Sequence, residues 1–166
     1  MLPMRKPKLY LDTSVISHLS QPDAPEKMAD TLQLWEDIKA GMYEVYVSNV
    51  TLREVFACKP EKLDILIKHL SDIEYTVIDE TEEIRSVAEK IIELGILRQK
   101  SYDDCIHIAS AVVTSCDYIA SWNFKHMVNV KTVHGVRAIT NLHGYKSIDI
   151  VPPNMLLHTD DAESEE

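Results

Sequence analysis

Short apolar runs alternate along the chain with longer stretches in which apolar residues recur at helical spacing. The short runs are typical of buried strands, because they are rich in β-branched and aromatic residues and are bounded by polar ones. They predict strands at 8–11, 43–48, 74–79, 117–122 and 147–151. The periodic stretches predict helices at 26–40, 51–59, 60–71, 81–94, 101–115 and within 133–142.

Strands that alternate with helices predict a parallel sheet covered by helices on both faces, although the order of the strands is not readable from the pattern. Local signals agree with the helix limits, since Thr81 is a good N-cap and Gly95 a good stop for the helix at 81–94. We expect one α/β domain over residues 1–157. The remaining residues, 158–166, contain the acidic run DDAESEE and predict a disordered tail.

Charge and composition narrow the classes of partner. The net charge is −10, of which the tail supplies five negative charges, so the body carries about −5. This balance argues against a large surface that binds phosphates without regard to sequence, but it leaves a nucleic-acid substrate open. No apolar run approaches the roughly 20 residues of a membrane span. Three cysteines without metal-ligand spacing predict free thiols and a cytoplasmic protein.

Several acidic or amide side chains fall at the edge of the predicted sheet where the strands end, which is where ligands bind in such folds. Asp12 follows the first strand, and Glu54 lies in the first turn of the helix after the second strand. Asp103 and Asp104 open the helix at 101–115, and Asn123 follows the strand at 117–122. We therefore expect these side chains to share one crevice.

Each acid also has a purely structural explanation. Thr51 and Glu54 match a capping box, Ser101 and Asp104 match a similar one, and Asp12 is a plausible first residue of a helix. Together, however, the acids would repel each other by about 3 kcal/mol per pair at about 5 Å and an effective dielectric near 20. A divalent cation offsets that repulsion, and an all-oxygen set favours Mg²⁺ or Mn²⁺ over zinc.

Four segments carry a family resemblance. They are LYLDTSVIS, TLREVF, YDDCIHIASAV and YIASWNFKHM, which contain Asp12, Glu54, Asp104 and Asn123 respectively. In order and spacing, over residues 8 to about 151, they resemble the signatures of PIN domains, in particular the VapC-type toxins of bacterial toxin–antitoxin pairs. The resemblance implies a three-layer α/β/α fold with a central, mostly parallel sheet. It also implies a Mg²⁺- or Mn²⁺-dependent endoribonuclease that hydrolyses RNA phosphodiester bonds as the toxin of such a pair.

The resemblance also implies roles for individual residues and partners. Asp12, Glu54 and Asp104 correspond to the acids that hold metal, and Asn123 takes a fourth catalytic position that is usually Asp in the family. A neutral amide there holds a second metal more weakly. The implied partners are an RNA substrate, an antitoxin protein and a second copy of the chain, with no membrane. The other implied site residues are Ser14 and Asp103, which support the acids, and Arg53 and Lys125, which position the RNA backbone.

Alternatives remain open at the level of sequence. A PIN-like domain that binds RNA or protein without efficient cleavage fits Asn123 and the acidic charge. A receiver domain or phosphatase fits poorly, because no Lys follows a late strand and no nucleophile motif appears. His107 is interpreted as a core histidine rather than a ligand. The stripe of Met28, Leu32 and Trp35 is interpreted as core, with a surface for an antitoxin segment or a second copy of the chain as the alternative. Trp122 and Phe124 are interpreted as packing around Asn123, with base stacking as the alternative.

Overall fold

The structure, a computed structural model, describes residues 5–158. The strands are β1 (Lys8–Leu11), β2 (Glu44–Ser48), β3 (Thr76–Ile78), β4 (Tyr118–Ala120) and β5 (Asp149–Val151). The helices are α1 (Thr13–Ser17), α2 (Pro25–Lys39), α3 (Asn49–Phe56), α4 (Pro60–Ser71), α5 (Glu82–Glu93), α6 (Tyr102–Val113) and α7 (Val130–His143). Short 3₁₀ turns occupy His18–Ser20, Gln99–Ser101 and Pro153–Leu156. The predicted tail, apart from His158, lies outside the described residues, so its disorder and the proposed domain limits stay predictions.

The five strands form one sheet in the order β3-β2-β1-β4-β5, and all four pairings are parallel. The predicted parallel sheet is therefore confirmed. β1 is central: the chain leaves it toward β2 on one side, and β4 joins it much later on the other side. The crevice between the carboxyl ends of β1 and β4 is thus the point where the connections diverge, which is the usual ligand position in open α/β sheets.

Helices cover both faces of the sheet, as predicted. Alternate residues of each strand point to opposite faces, so Tyr10 packs into a core with α5, α6 and α7, while Leu9 and Leu11 pack into a second core with α1 to α4. Trp35 of α2 is buried in the second core and Leu32 packs against it, which confirms the core interpretation for both. No helix in residues 5–158 has both the length and the apolar surface that a bilayer-spanning segment needs.

Helix starts near the sheet edge differ from the prediction. The helix predicted at 51–59 begins at Asn49, because Ser48 is its N-cap: Ser48 Oγ accepts from Thr51 N at 3.4 Å, and Ser48 N donates to Thr51 Oγ1 at 3.2 Å. The capping box of Thr51 with Glu54 is therefore wrong, and Glu54 lies in the second turn. The similar box at the start of α6 is also wrong, since Ser101 makes no side-chain cap bond.

Candidate active site

Asp12 lies at the carboxyl end of β1, in the position that precedes α1, and only 4% of the residue is exposed. Its carboxylate makes no capping bond to α1. Instead, Oδ2 accepts hydrogen bonds from Ser121 Oγ at 2.6 Å and from Ser14 Oγ at 2.9 Å. The Asp12 backbone N–H donates to Ala120 O at 3.1 Å, which ties the residue to β4. Two hydroxyl groups therefore fix the direction of this carboxylate at the crevice.

Glu54 of α3 reaches the same crevice from the other side. Its Oε1 accepts from His107 Nε2 at 2.7 Å and from Thr13 Oγ1 at 2.8 Å. Burial disfavours the ionised carboxylate, but the hydrogen bonds from His107 and Thr13 outweigh it, so the pKa of Glu54 lies below its ordinary value. Glu54 is thus held as an anion next to the first turn of α1.

His107 links the carboxylates to the core. The residue is 1% exposed; its Nδ1 lies 2.6 Å from Tyr10 Oη, and its Nε2 lies 3.6 Å from Asp12 Oδ1. Burial alone would lower its pKa, but Tyr10, Glu54 and Asp12 outweigh burial and raise it well above the ordinary value. Both ring nitrogens then donate, Nδ1 to Tyr10 and Nε2 to Glu54, and Tyr10 Oη donates onward to Ser48 Oγ at 2.8 Å.

The prediction that His107 is only a packed core histidine is therefore incomplete. It is buried, but its hydrogen bonds hold a candidate ligand rather than merely filling space. A sequence signal existed, because His107 follows Asp104 by three residues and so lies on the same side of α6. Ser121 was also missed, although it directly follows β4 and so satisfies the rule that selected Asn123. Thr13 was considered only as part of a helix start.

Asp104 and its neighbour Asp103 point to different surroundings. Burial raises the pKa of Asp104, and the negative charges of Asp12 and Glu54 raise it further, while His107 and His126 partly oppose this rise. Among residues 5–158 no hydrogen bond reaches the Asp104 side chain. Asp103 is exposed and pairs with Arg53, whose Nη2 lies 2.9 Å from its Oδ2. Its contact is with that surface cation, and not with the other acids.

Asn123 follows β4 beside Ser121. Its backbone N–H donates to Ser121 Oγ at 3.0 Å, and its side-chain Oδ1 accepts from His126 N at 3.0 Å. The amide oxygen therefore shapes its own loop, which leaves the amide NH₂ group as the part that can face a ligand. Lys125 is exposed on the same loop.

The donor set suits a hard cation, although its oxygens are not gathered around one point. No three His, Cys, Asp or Glu residues within 5–158 are arranged closely enough to hold a metal ion. The hydrogen bonds to Glu54 all go to Oε1, so within the described chain its Oε2 remains available. Asp104 and the Oδ1 of Asp12 are the other oxygens without a hydroxyl donor. The oxygen chemistry fits Mg²⁺ or Mn²⁺, provided that water bridges part of the gap or Glu54 turns.

Comparison with known proteins agrees with this geometry. The model of the PIN domain family matches residues 9–124, which is more than half of the chain and contains Asp12, Glu54, Asp104 and Asn123. A comparison with curated proteins gave no significant match. PIN domains are typically nucleases that use divalent metals. The chain therefore belongs to the PIN domain family.

Proposed function

We propose that this protein is a Mg²⁺- or Mn²⁺-dependent endoribonuclease that hydrolyses RNA phosphodiester bonds. The observation that carries the proposal is the approach of two acids from distant segments to one point: His107 Nε2 lies 2.7 Å from Glu54 Oε1 and 3.6 Å from Asp12 Oδ1. Asp104 lies three residues before His107 on α6. None of Asp12, Glu54 and Asp104 is used to cap its own helix. Carboxylates kept together without that structural use favour a cation-binding role.

In this proposal Asp12 and Asp104 hold the cation directly, and Glu54 joins them through Oε2 or a bridging water. A bound divalent cation lowers the pKa of a water and neutralises charge on the phosphate. Ser14 and Ser121 orient Asp12, while His107 keeps Glu54 ionised and turned toward the crevice.

The remaining proposed residues act on substrate or support the acids. Asn123 orients water or phosphate through its amide NH₂ group, and as a neutral side chain it holds a second metal only weakly. Lys125 and Arg53 position the RNA backbone. Arg53 is paired with Asp103, so this role requires it to exchange that partner for a phosphate. Asp103 then supports the site only indirectly, through Arg53.

A second candidate is a PIN domain that binds RNA or protein with little cleavage. Two observations favour it: no three-residue metal group is preformed in residues 5–158, and Oε1 of Glu54 is already bonded to His107 and Thr13. Both candidates use the same crevice, so only an activity measurement separates them.

Cleavage of single-stranded and structured RNAs with Mn²⁺ tests the choice. We expect activity that Asp12→Asn and Asp104→Asn each reduce by at least about 100-fold, since each removes a ligand charge. Asp149→Asn is the matched control, because Asp149 is an exposed acid at the opposite edge of the sheet. If Asp12→Asn or Asp104→Asn cleaves RNA as fast as Asp149→Asn, the assignment of that residue as a metal ligand is wrong. A wild type without cleavage of any RNA would favour the binding module.

Metal binding can be measured without RNA. We expect calorimetry to show weak binding of Mn²⁺ to the wild type, because Asn123 contributes no charge to the set of ligands. Asp12→Asn should show no binding, because it removes the charge of one ligand. Tight binding of zinc would contradict the oxygen-ligand model, since zinc prefers His and Cys ligands.

The toxin assignment and the cytoplasmic location are further parts of the proposal. The toxin assignment is supported by the resemblance of the four motifs. The cytoplasmic location is supported by three free cysteines, which suit a reducing compartment. Induced expression in a bacterium should arrest growth with the wild type but not with Asp104→Asn, and co-expression of a neighbouring DNA-binding protein should restore growth. Normal growth with folded wild-type protein would argue against a toxin. An antitoxin and a homodimer stay predictions until such a complex is isolated.

A further inference from the structure

A half-exposed aromatic ring lies in the same loop as Asn123. Phe124 follows Asn123 in the loop after β4, and 47% of it is exposed, whereas Trp122 is only 7% exposed. The loop is tied to the carboxylates, because Trp122 N donates at 2.9 Å to Ser14 Oγ, which in turn donates to Asp12. Phe124 is therefore an exposed ring outside both cores, in a loop that hydrogen bonds anchor to the site.

The backbone that carries this ring is well ordered by its own hydrogen bonds. Asn129 Nδ2 donates to Phe124 O at 3.2 Å and to Lys125 O at 3.0 Å, and Phe124 N donates to Trp122 O at 3.1 Å. Met127 N also donates to Asn123 O at 3.0 Å. A ring held in this way binds a ligand without first ordering its loop, which lowers the entropic cost of association.

A cation accompanies the ring. Lys27 in the first turn of α2 places Nζ 5.4 Å from the Phe124 centroid and 5.7 Å from the Trp122 centroid. The Phe124 and Trp122 rings are tilted relative to each other, with centroids 6.4 Å apart. Trp122 also contacts His18, with ring centroids 5.9 Å apart. An exposed aromatic ring with an ammonium group over it matches a nucleotide, whose base stacks on the part of the ring that is free while its phosphate meets the cation.

We propose that Phe124 and Lys27 form a nucleotide platform that binds one unpaired base, and its phosphate, next to the scissile position. The inference rests on the proposed function, and it makes the substrate a single-stranded segment, because a base in a duplex has no free face to offer. A protein partner is the less favoured occupant, since a cation over an aromatic ring beside carboxylates suits a phosphodiester chain better than an apolar peptide. The acidic body also makes a local cation necessary for binding RNA.

The test measures binding without cleavage. Anisotropy of a labelled single-stranded oligoribonucleotide in EDTA should show about tenfold or greater weakening for Phe124→Leu and near-wild-type binding for Phe124→Tyr. Tyr75→Leu is the matched control, because Tyr75 is 36% exposed at the opposite edge of the sheet. Binding of a duplex of the same sequence should not respond to Phe124→Leu. Circular dichroism of each variant checks that the fold is retained.

Lys27 gives an independent readout. Lys27→Gln should weaken single-strand binding and lower the slope of log affinity against log salt by about 0.7, the value for one phosphate contact on a single strand. Lys39→Gln, at the other end of the same helix, should leave the slope unchanged.

The platform would be overturned by unchanged single-strand binding in Phe124→Leu, by equal weakening of single-strand and duplex binding, or by an unchanged salt slope in Lys27→Gln. Loss of a co-purifying protein with unaltered RNA binding would also overturn it, by giving the ring to a protein partner. Because EDTA removes the metal, the result does not depend on cleavage. If single-strand binding depends on Phe124 and Lys27 but the protein cleaves no RNA, the platform is supported and the nuclease proposal is contradicted.

Discussion

Removing the Tyr10 hydroxyl should destabilise the protein more than an ordinary surface hydrogen bond would suggest. Tyr10 is fully buried in β1, and its Oη lies 2.6 Å from His107 Nδ1, 2.8 Å from Ser48 Oγ and 3.2 Å from Thr51 Oγ1. The change Tyr10→Phe preserves the ring and the packing. It therefore isolates the loss of these polar contacts.

The magnitude follows from what remains behind. Ser48 and Thr51 keep each other as partners, but the Nδ1 of His107 is left buried without an acceptor. Leaving a buried polar group unsatisfied costs about 1–3 kcal/mol, and a positively charged donor lies toward the upper end. We expect the free energy of unfolding to fall by about 2–3 kcal/mol, which lowers Tm by roughly 4–12 °C for a chain of this size.

The assay is urea denaturation followed by circular dichroism, with Tyr46→Phe as the control. Tyr46 pairs with Tyr10 across β1 and β2 and belongs to the same core, but its hydroxyl donates to the exposed Glu44, with Oη 2.6 Å from Oε1. Water replaces that partner, so we expect a loss below about 1 kcal/mol. The slope m should be the same in both variants.

Equal destabilisation by the two substitutions would refute the reasoning, because it would mean that His107 does not depend on Tyr10 for its hydrogen bond. In that case the proposed hold on Glu54 would also lack its anchor in the core.

Three further predictions concern other parts of the fold. Gly135→Ala should lower the free energy of unfolding by about 1–3 kcal/mol, although Ala normally favours a helix, because the new Cβ would lie 2.5–2.9 Å from Ile96 side-chain atoms. Adding Ile96→Ala in a double-mutant cycle should remove most of that clash, and simple additivity of the two changes would contradict this. Ser110→Ala should raise it by about 1 kcal/mol, since the Ser110 Oγ is buried without a hydrogen-bond partner among the described residues, and a lower denaturation midpoint would show that the hydroxyl does have one. Asp117→Asn should destabilise the protein at pH 7 and progressively less as the pH falls below 3.8. Burial opposes ionisation of Asp117, but hydrogen bonds from Lys146 and a β1 backbone amide outweigh burial and lower its pKa. The stabilisation by Asp117 is therefore present above the unfolded pKa and is lost on protonation, and a pH-independent difference between the two proteins would contradict this.

Some features of this protein follow from local sequence alone. The alternation of strands and helices is a property of apolar spacing within each short segment, and the structure confirms it for every predicted strand and helix, with ends that differ by a few residues. The placement of Asp12 and Asn123 at one edge of the sheet also follows, because parallel strands must end on the same side. Asp104 joins them because α6, whose end leads into the start of β4, begins at that edge. The family resemblance used the same four segments, and the match to the PIN domain model confirms it.

Helix α3 shows where local reasoning fails. Both Ser48 and Thr51 are good N-caps by sequence; the prediction started the helix at Thr51, and the structural alternative for Glu54, a capping box with Thr51, depended on that start. In the structure β2 pairs with β3 as far as Ser48, opposite Ile78, and the helix begins at the next residue. Strand pairing depends on distant segments, so a short sequence window around residue 50 does not show where β2 ends.

The sequence by itself therefore determined which elements form, because that depends on neighbours within a few residues, and the parallel sheet it predicted put the acids on the carboxyl edge. Only the tertiary structure decided how those acids are held. Ser121 reaches Asp12 because β4 lies beside β1, and His107 reaches Glu54 because α6 packs against α3. Hydrogen bonds between segments separated by 53 and 109 residues depend on strand order and helix packing, which local periodicity does not encode.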